Sequence, residues 1–163
     1  MKNILVAIDF SKSTEQVIQQ ASILAQKMGG KLWFIHATPD ERLKAIAYES
    51  TQFYDFSPEF ISAPVGDVEL ARDLCAEEYK QEHHAMLNLS NKIKKSGIDA
   101  QSMLLKGDAA DLILEKAEEV KADMIVMGSH GHGMLRKVLT GSVTEAVLRK
   151  ASCGVLIIPP PEA

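Results

Sequence analysis

Met124-Ile125-Val126-Met127-Gly128-Ser129-His130-Gly131-His132-Gly133 is a short apolar run that stops in a glycine-rich loop, and Thr140-Gly141-Ser142-Val143 closes that loop into a helical pattern. The spacing is G-x2-G-x9-G-S. An apolar run of this length with turn residues behind it reads as a buried strand, and the segment from Ser142 onward reads as a helix. Such a loop is either a plain connector or an anion cradle. Glycines at a strand end let backbone N–H groups approach a bulky anion, and the next helix offers unpaired N–H groups and the positive end of its dipole. On that reading Ser142 adds a hydroxyl, and Val143 and Thr144 add first-turn N–H groups.

Working outward, the same strand-then-helix grammar fills the chain. Ile4 to Ile8 is an apolar run that suits a strand buried on both faces. Ser13 with Gln16 three residues on is a capping-box pattern, and Val17, Ile18, Ala21, Leu24, Ala25 and Met28 come after it at helical spacing until Gly29-Gly30. Leu32 to Ala37 is the second strand, which makes a right-handed βαβ unit. Asp67 can cap a long helix that runs to Ser96-Gly97. Ile98 to Leu105 is a third strand near a sheet edge, and Gly107-Asp108 opens a helix with Leu112, Ile113, Ala117 and Val120 inward. Ser142 with Glu145 makes a second capping box, with Val143, Ala146, Val147 and Ala151 inward. Gly154 ends that helix, and Val155 to Ile158 is a fifth strand. Five strands alternating with four helices predict an α/β fold, a doubly wound parallel sheet with helices on both faces.

The chain has 163 residues, for which one domain over 1–163 is expected, with an aromatic-rich insertion at about 39–66. Eighteen basic and 22 acidic residues give a net charge of −4, and without a basic cluster general nucleic-acid binding is not expected. Cys75 and Cys153 show no metal or disulfide spacing and fit a reducing cytoplasm. Nothing approaches the ~20 apolar residues of a membrane span, so a cytoplasmic protein is expected.

The glycine spacing with Gly141-Ser142-Val143-Thr144-Glu145, the terminal Val155-Leu156-Ile157-Ile158 and the initial Ile4-Leu5-Val6-Ala7-Ile8-Asp9-Phe10-Ser11 resemble the universal stress protein family, whose ATP-binding members carry G-x2-G-x9-G-[S/T]. The resemblance covers both ends of the chain and only loosely its middle. It implies an adenine nucleotide α-hydrolase-like sheet of order 3-2-1-4-5, which makes strands one and four neighbours where the strand order reverses. Ligands bind outside the carboxyl ends of strands at such a point, so Asp9 and Gly128 should stand side by side there. The resemblance further implies a site for ATP, or AMP or ADP, with Mg²⁺, made by Ala7, Ile8, Asp9, Ala37, Met127, Gly128, Gly131, His132, Gly133, Gly141, Ser142, Val143 and Thr144. Asp9 would serve the sugar or the metal, and the backbone of Ala37 the adenine edge. Position 7 is Ala where related proteins often have Pro.

Each of these residues also has a structural reading. Asp9 can cap the following turn, and Ser142 can cap a helix instead of holding phosphate. His130 and His132 alternate as a chelating pair can, but no Cys or carboxylate accompanies them at a zinc spacing. His132 suits a phosphate contact better. Arg136 and Lys137 could add positive charge near the terminal phosphate or simply face solvent. The P-loop and G-x-S-x-G templates are both missing, and no base or arginine stands out for phosphoryl transfer, so no catalytic residue is assigned. The expected function is a nucleotide-responsive stress regulator or protector. The alternatives are a slow ATP-hydrolysing or adenylyl-transferring enzyme, or an interaction module independent of nucleotide.

The connection from Pro39 to Gly66 holds Tyr48, Phe53, Tyr54, Phe56 and Phe60, five of the chain's nine aromatic residues. Either it covers the chain's own core, or residues 41–63 act as a lid or dock a protein partner. The short apolar fifth strand at a sheet edge predicts a homodimer.

Overall fold

The computed structural model describes residues 2–38, 40, 68–129 and 141–160, with side chains from residue 76 onward in the second long stretch. The insertion at 39–66 therefore lies almost wholly outside the described residues, as do Asp67 and the side chain of Cys75. The elements are β1 (Asn3–Ala7), α1 (Thr14–Met28), β2 (Lys31–Thr38), α2 (Val68–Lys95), β3 (Ala100–Lys106), α3 (Ala109–Glu119), β4 (Met124–Gly128), α4 (Ser142–Lys150) and β5 (Gly154–Ile158). All strand pairs are parallel and the sheet order is β3-β2-β1-β4-β5. The expected alternation and order are both present, with β3 and β5 at the edges.

Apolar strand runs bury both faces, and successive side chains divide between them. Ile4, Val6, Leu32, Phe34 and Val126 meet Val17, Ala21 and Ala25 of α1 and Met86 and Ile93 of α2 on one face. Leu5, Ile35, Ile125 and Met127 meet Ile113 and Ala117 of α3 and Val147 of α4 on the other. The helices thus lie two to a face. Among the described residues no helix is long and apolar enough to cross a membrane.

The Gly29 stop of α1 is present, with Gly29 left-handed at φ 62°, but other helix ends depart from the sequence reading. Ser13 makes no side-chain cap, because its backbone is already helical (φ −83°, ψ −13°) and its hydroxyl meets that of Ser11 at 2.9 Å. An N-cap needs an extended residue to aim its oxygen back at the first turn. Ser142 is not a cap either. Gly141 holds that place at φ −70°, ψ 159°, and Ser142 is the first helical residue. Glu145, expected to reach back to the helix start, instead accepts from Arg149 Nε (3.1 Å) and Nη2 (2.7 Å) one turn on. Gly154 does not end α4, which stops at Lys150; it opens β5. Met28, past the last covered position of α1 at Ala25, is 50% exposed. Asp108 does cap α3, accepting from Asp111 N at 3.0 Å.

At the amino ends of the strands one carboxylate fastens three segments. Asp123 Oδ2 accepts from Lys2 N (2.6 Å) and Asn3 N (3.0 Å), and Asp123 N donates to Asn3 O (2.9 Å). Asn3 Nδ2 donates to Val120 O (2.8 Å), and Trp33 Nε1 donates to Asn3 Oδ1 (3.1 Å). The Asn3 amide first, and then the Lys2 amide, hold the Asp123 carboxyl below its usual range. A carboxyl depressed in the folded state stabilises the fold above its unfolded pKa and stops doing so as pH falls through the folded value. We therefore expect Asp123→Asn to lower stability at neutral pH, with the gap from wild type closing as urea melts are repeated at increasingly acid pH.

Candidate functional site at the carboxyl edge of the sheet

The register brings the expected residues of β1, β2 and β4 to one edge. β1 pairs with β2 up to Ala7↔Ile35 and with β4 through Val6↔Val126. Counted onward, Asp9 is level with Ala37, Ala7 with Met127 and Ile8 with Gly128. Ala7 and Met127 both pack into the core on the α3–α4 face, while Ile8 turns to the α1–α2 face. Asp9 and Gly128 are therefore neighbours at the strand ends, where the order reverses.

Two hydrogen bonds gather the described part of the glycine motif. Gly141 N donates to Ser129 O at 2.9 Å, and Ser129 N donates to Ile158 O at 2.9 Å. Ser129 and Gly141, the described residues flanking 130–140, are thus in contact, and Gly128 and Gly141 sit close together. Thr144 then pins α4 to the same place: its side chain is buried and Oγ1 donates to Gly128 O at 3.0 Å. The first helical bond of α4 is Glu145 N to Gly141 O (2.9 Å). The amides of Ser142, Val143 and Thr144 precede it, where a helix has no acceptor of its own to offer. They lie at the start of α4, beside the end of β4, and the positive end of the helix dipole coincides with them.

Asp9 Oδ1 accepts from Ser11 N (2.9 Å) and Thr14 Oγ1 (3.2 Å), so the carboxylate closes the turn into α1, the structural role open to an Asp at this position. That turn places Phe10 at φ 55°, a left-handed conformation costly for a bulky residue. Gly131, His132 and Gly133 lie outside the described residues, as do His130, Arg136 and Lys137. Among the described residues no group of three His, Cys, Asp or Glu is placed to hold a metal ion.

Two contributors were not legible in the sequence. Thr144 was expected to act through its N–H, yet its hydroxyl ties helix to strand. His36 is 8% exposed at the end of β2, with Nδ1 2.6 Å from Ile8 O and Nε2 3.5 Å from Glu82 Oε1 of α2. The ring of Phe10 meets it edge-on, with centroids 4.7 Å apart. The one available signal was a histidine inside the otherwise apolar run Leu32 to Ala37.

Comparison with known proteins agrees with this architecture. The universal stress protein MJ0531 of Methanocaldococcus jannaschii is 29% identical over 162 residues, covering 99% of this chain and 84% of that protein. The solved structure of M. jannaschii MJ0577 superposes with a TM-score of 0.76 at 22% identity, over 99% of this chain and 98% of that one. The universal stress protein of Archaeoglobus fulgidus, solved in complex with dAMP, gives a TM-score of 0.62 at 23% identity, over 97% and 98%. The profile of the universal stress protein family matches residues 1–159, and with the parallel 3-2-1-4-5 sheet this places the chain in the universal stress protein family.

Proposed function

We propose that this chain binds an adenine nucleotide at the carboxyl edge of its sheet and acts as a nucleotide-responsive stress regulator or protector in the cytoplasm. The observation that carries the reading is the Gly141 N to Ser129 O closure. It sets both described glycines of the motif and the start of α4 beside the end of β1. Backbone amides there suit phosphate, with Gly128, Gly131, Gly141 and Ser142 as the cradle and His132 and Gly133 beside it. Asp9 and Ala37 then serve the sugar and base side, with Ala7, Ile8 and Met127 as the floor. Mg²⁺, if it accompanies the phosphates, would be met by Asp9 and would neutralise phosphate charge. The dAMP held by the A. fulgidus neighbour supports an AMP-type ligand.

The test is to denature freshly purified protein, identify released small molecules by mass, and titrate the emptied protein with ATP and AMP. Recovery or saturable binding of an adenine nucleotide is the expected result. An empty protein that binds neither overturns the reading.

We also propose a homodimer through β5. The strand lies at the sheet edge, its outer backbone groups face away from β4, and Val155, Leu156 and Ile157 are each half-buried. Sedimentation at micromolar protein should give twice the chain mass; a strictly monomeric mass counts against this interface.

A further inference from the structure

The β1–β2 ladder ends one bond early. Ile8 N donates to Ile35 O at 2.9 Å, as the parallel pattern requires, and the next rung would run from Ala37 N to Ile8 O. Among the described residues that rung is not formed, and the register stops at Ala7↔Ile35. The Ile8 carbonyl is held instead by His36 Nδ1 at 2.6 Å. A carbonyl can only accept, so Nδ1 carries the proton. The edge-on ring of Phe10 packs against the imidazole in that orientation, and Nε2 faces Glu82 Oε1 of α2 at 3.5 Å. A buried donor has thus replaced a backbone rung where β1 bends away into the Asp9–Phe10 turn.

We infer that His36 is a positioning residue of the nucleotide site: by taking the Ile8 carbonyl it fixes the Asp9 turn and leaves the Ala37 N–H directed at the base side of the cleft. This rests on the reading of the cleft as a nucleotide site. In a parallel ladder the N–H and C=O of one residue point to the same neighbour. Ile35 O points at β1, and Thr38 O points at β3, where it accepts from Gly107 N (2.9 Å). Ala37 shares the side of Ile35, so its N–H points at the space β1 vacates. Nε2 of the same ring faces Glu82 of α2, the helix next in the chain after the aromatic insertion.

The test separates the Nδ1 donor from the bulk of the ring. His36→Asn keeps a donor near the Nδ1 position; His36→Gln moves it toward Glu82; His36→Leu removes it. Each is titrated with ATP and with adenosine. We expect His36→Asn to bind within about twofold of wild type, and His36→Gln and His36→Leu about tenfold more weakly, as for loss of one buried hydrogen bond. The loss should be equal for adenosine and ATP, since it falls on the base and sugar side. Equal affinity in all four proteins overturns the inference, as does equal weakening by Asn and Leu or a loss seen with ATP alone. A second measurement needs no variant: amide exchange at Ala37 of the wild type should slow when adenosine is added, and an unchanged rate overturns the inference. A wild type that binds neither ligand overturns the nucleotide reading itself, whereas a wild type that binds and is indifferent to position 36 overturns only the role of His36.

Discussion

Phe34→Ala should lower the free energy of unfolding by about 3–5 kcal/mol, a large share of the roughly 5–15 kcal/mol that holds an ordinary domain together. Among the described residues Phe34 is the largest fully buried side chain, at 0% exposure, in the middle of β2. Its register partners are Val6 on one side and Ser102 on the other, so it lies between two neighbouring strands. Its ring belongs to the cluster that α1 and α2 close with Val17, Ala21 and Met86. Truncation removes the transfer energy of the ring and leaves a hollow walled by sheet on one side and two helices on the other, neither of which can collapse freely. Phe10→Ala is the internal control. That ring is 37% exposed and its backbone is left-handed, so its loss should cost far less. Urea melts of the two variants with unchanged m-values check the contrast. A Phe34→Ala effect within about 1 kcal/mol of Phe10→Ala would mean that the core does not centre on β2.

Why the sheet was readable and the caps at Ser13 and Ser142 were not comes down to range. Ile4 to Ile8 and Met124 to Met127 are apolar throughout because helices cover both faces of the sheet, and a sequence records that directly. A cap depends on one residue's φ and ψ. Ser13 has the right side chain and a helical backbone, so the capping-box pattern is present without its hydrogen bond. Glu145 offered the same false signal, because Arg149 four residues on is a better partner than the helix start. At the site the glycine spacing was local and visible, and the family resemblance supplied the strand order that joins Asp9 to Gly128. The joints themselves were hidden. Thr144 to Gly128 spans 16 residues and His36 to Ile8 spans 28, and neither partner is a side chain. A hydrogen bond to a distant carbonyl leaves no trace in residue type beyond a polar residue where an apolar one is expected.

A saturating nucleotide should leave its own mark on stability. ATP at a hundredfold excess over its dissociation constant is expected to raise the unfolding free energy by about 2.7 kcal/mol, because it binds the folded chain and not the unfolded one. The site as proposed is built chiefly from backbone, so ordinary side-chain truncations around it should change this shift only in part. Gly131→Val is the exception. Its position lies outside the described residues, and the expectation comes from the spacing: Gly131 comes three residues after Gly128 in a loop whose ends meet at Ser129 and Gly141. A branched side chain there would occupy the space where amides approach phosphate. Thermal and urea melts of both proteins with and without ATP are expected to show the shift in wild type and none in Gly131→Val beyond what adenosine alone gives. Adenosine separates the two halves of the site, since it lacks the phosphates that Gly131 would meet. The variant should keep whatever shift adenosine produces in wild type while losing the additional shift from ATP. If ATP stabilises both proteins equally, the phosphates do not lie in this loop. If adenosine and ATP shift the wild type equally, the glycine spacing contributes no binding energy, and only the base and sugar side of the site remains.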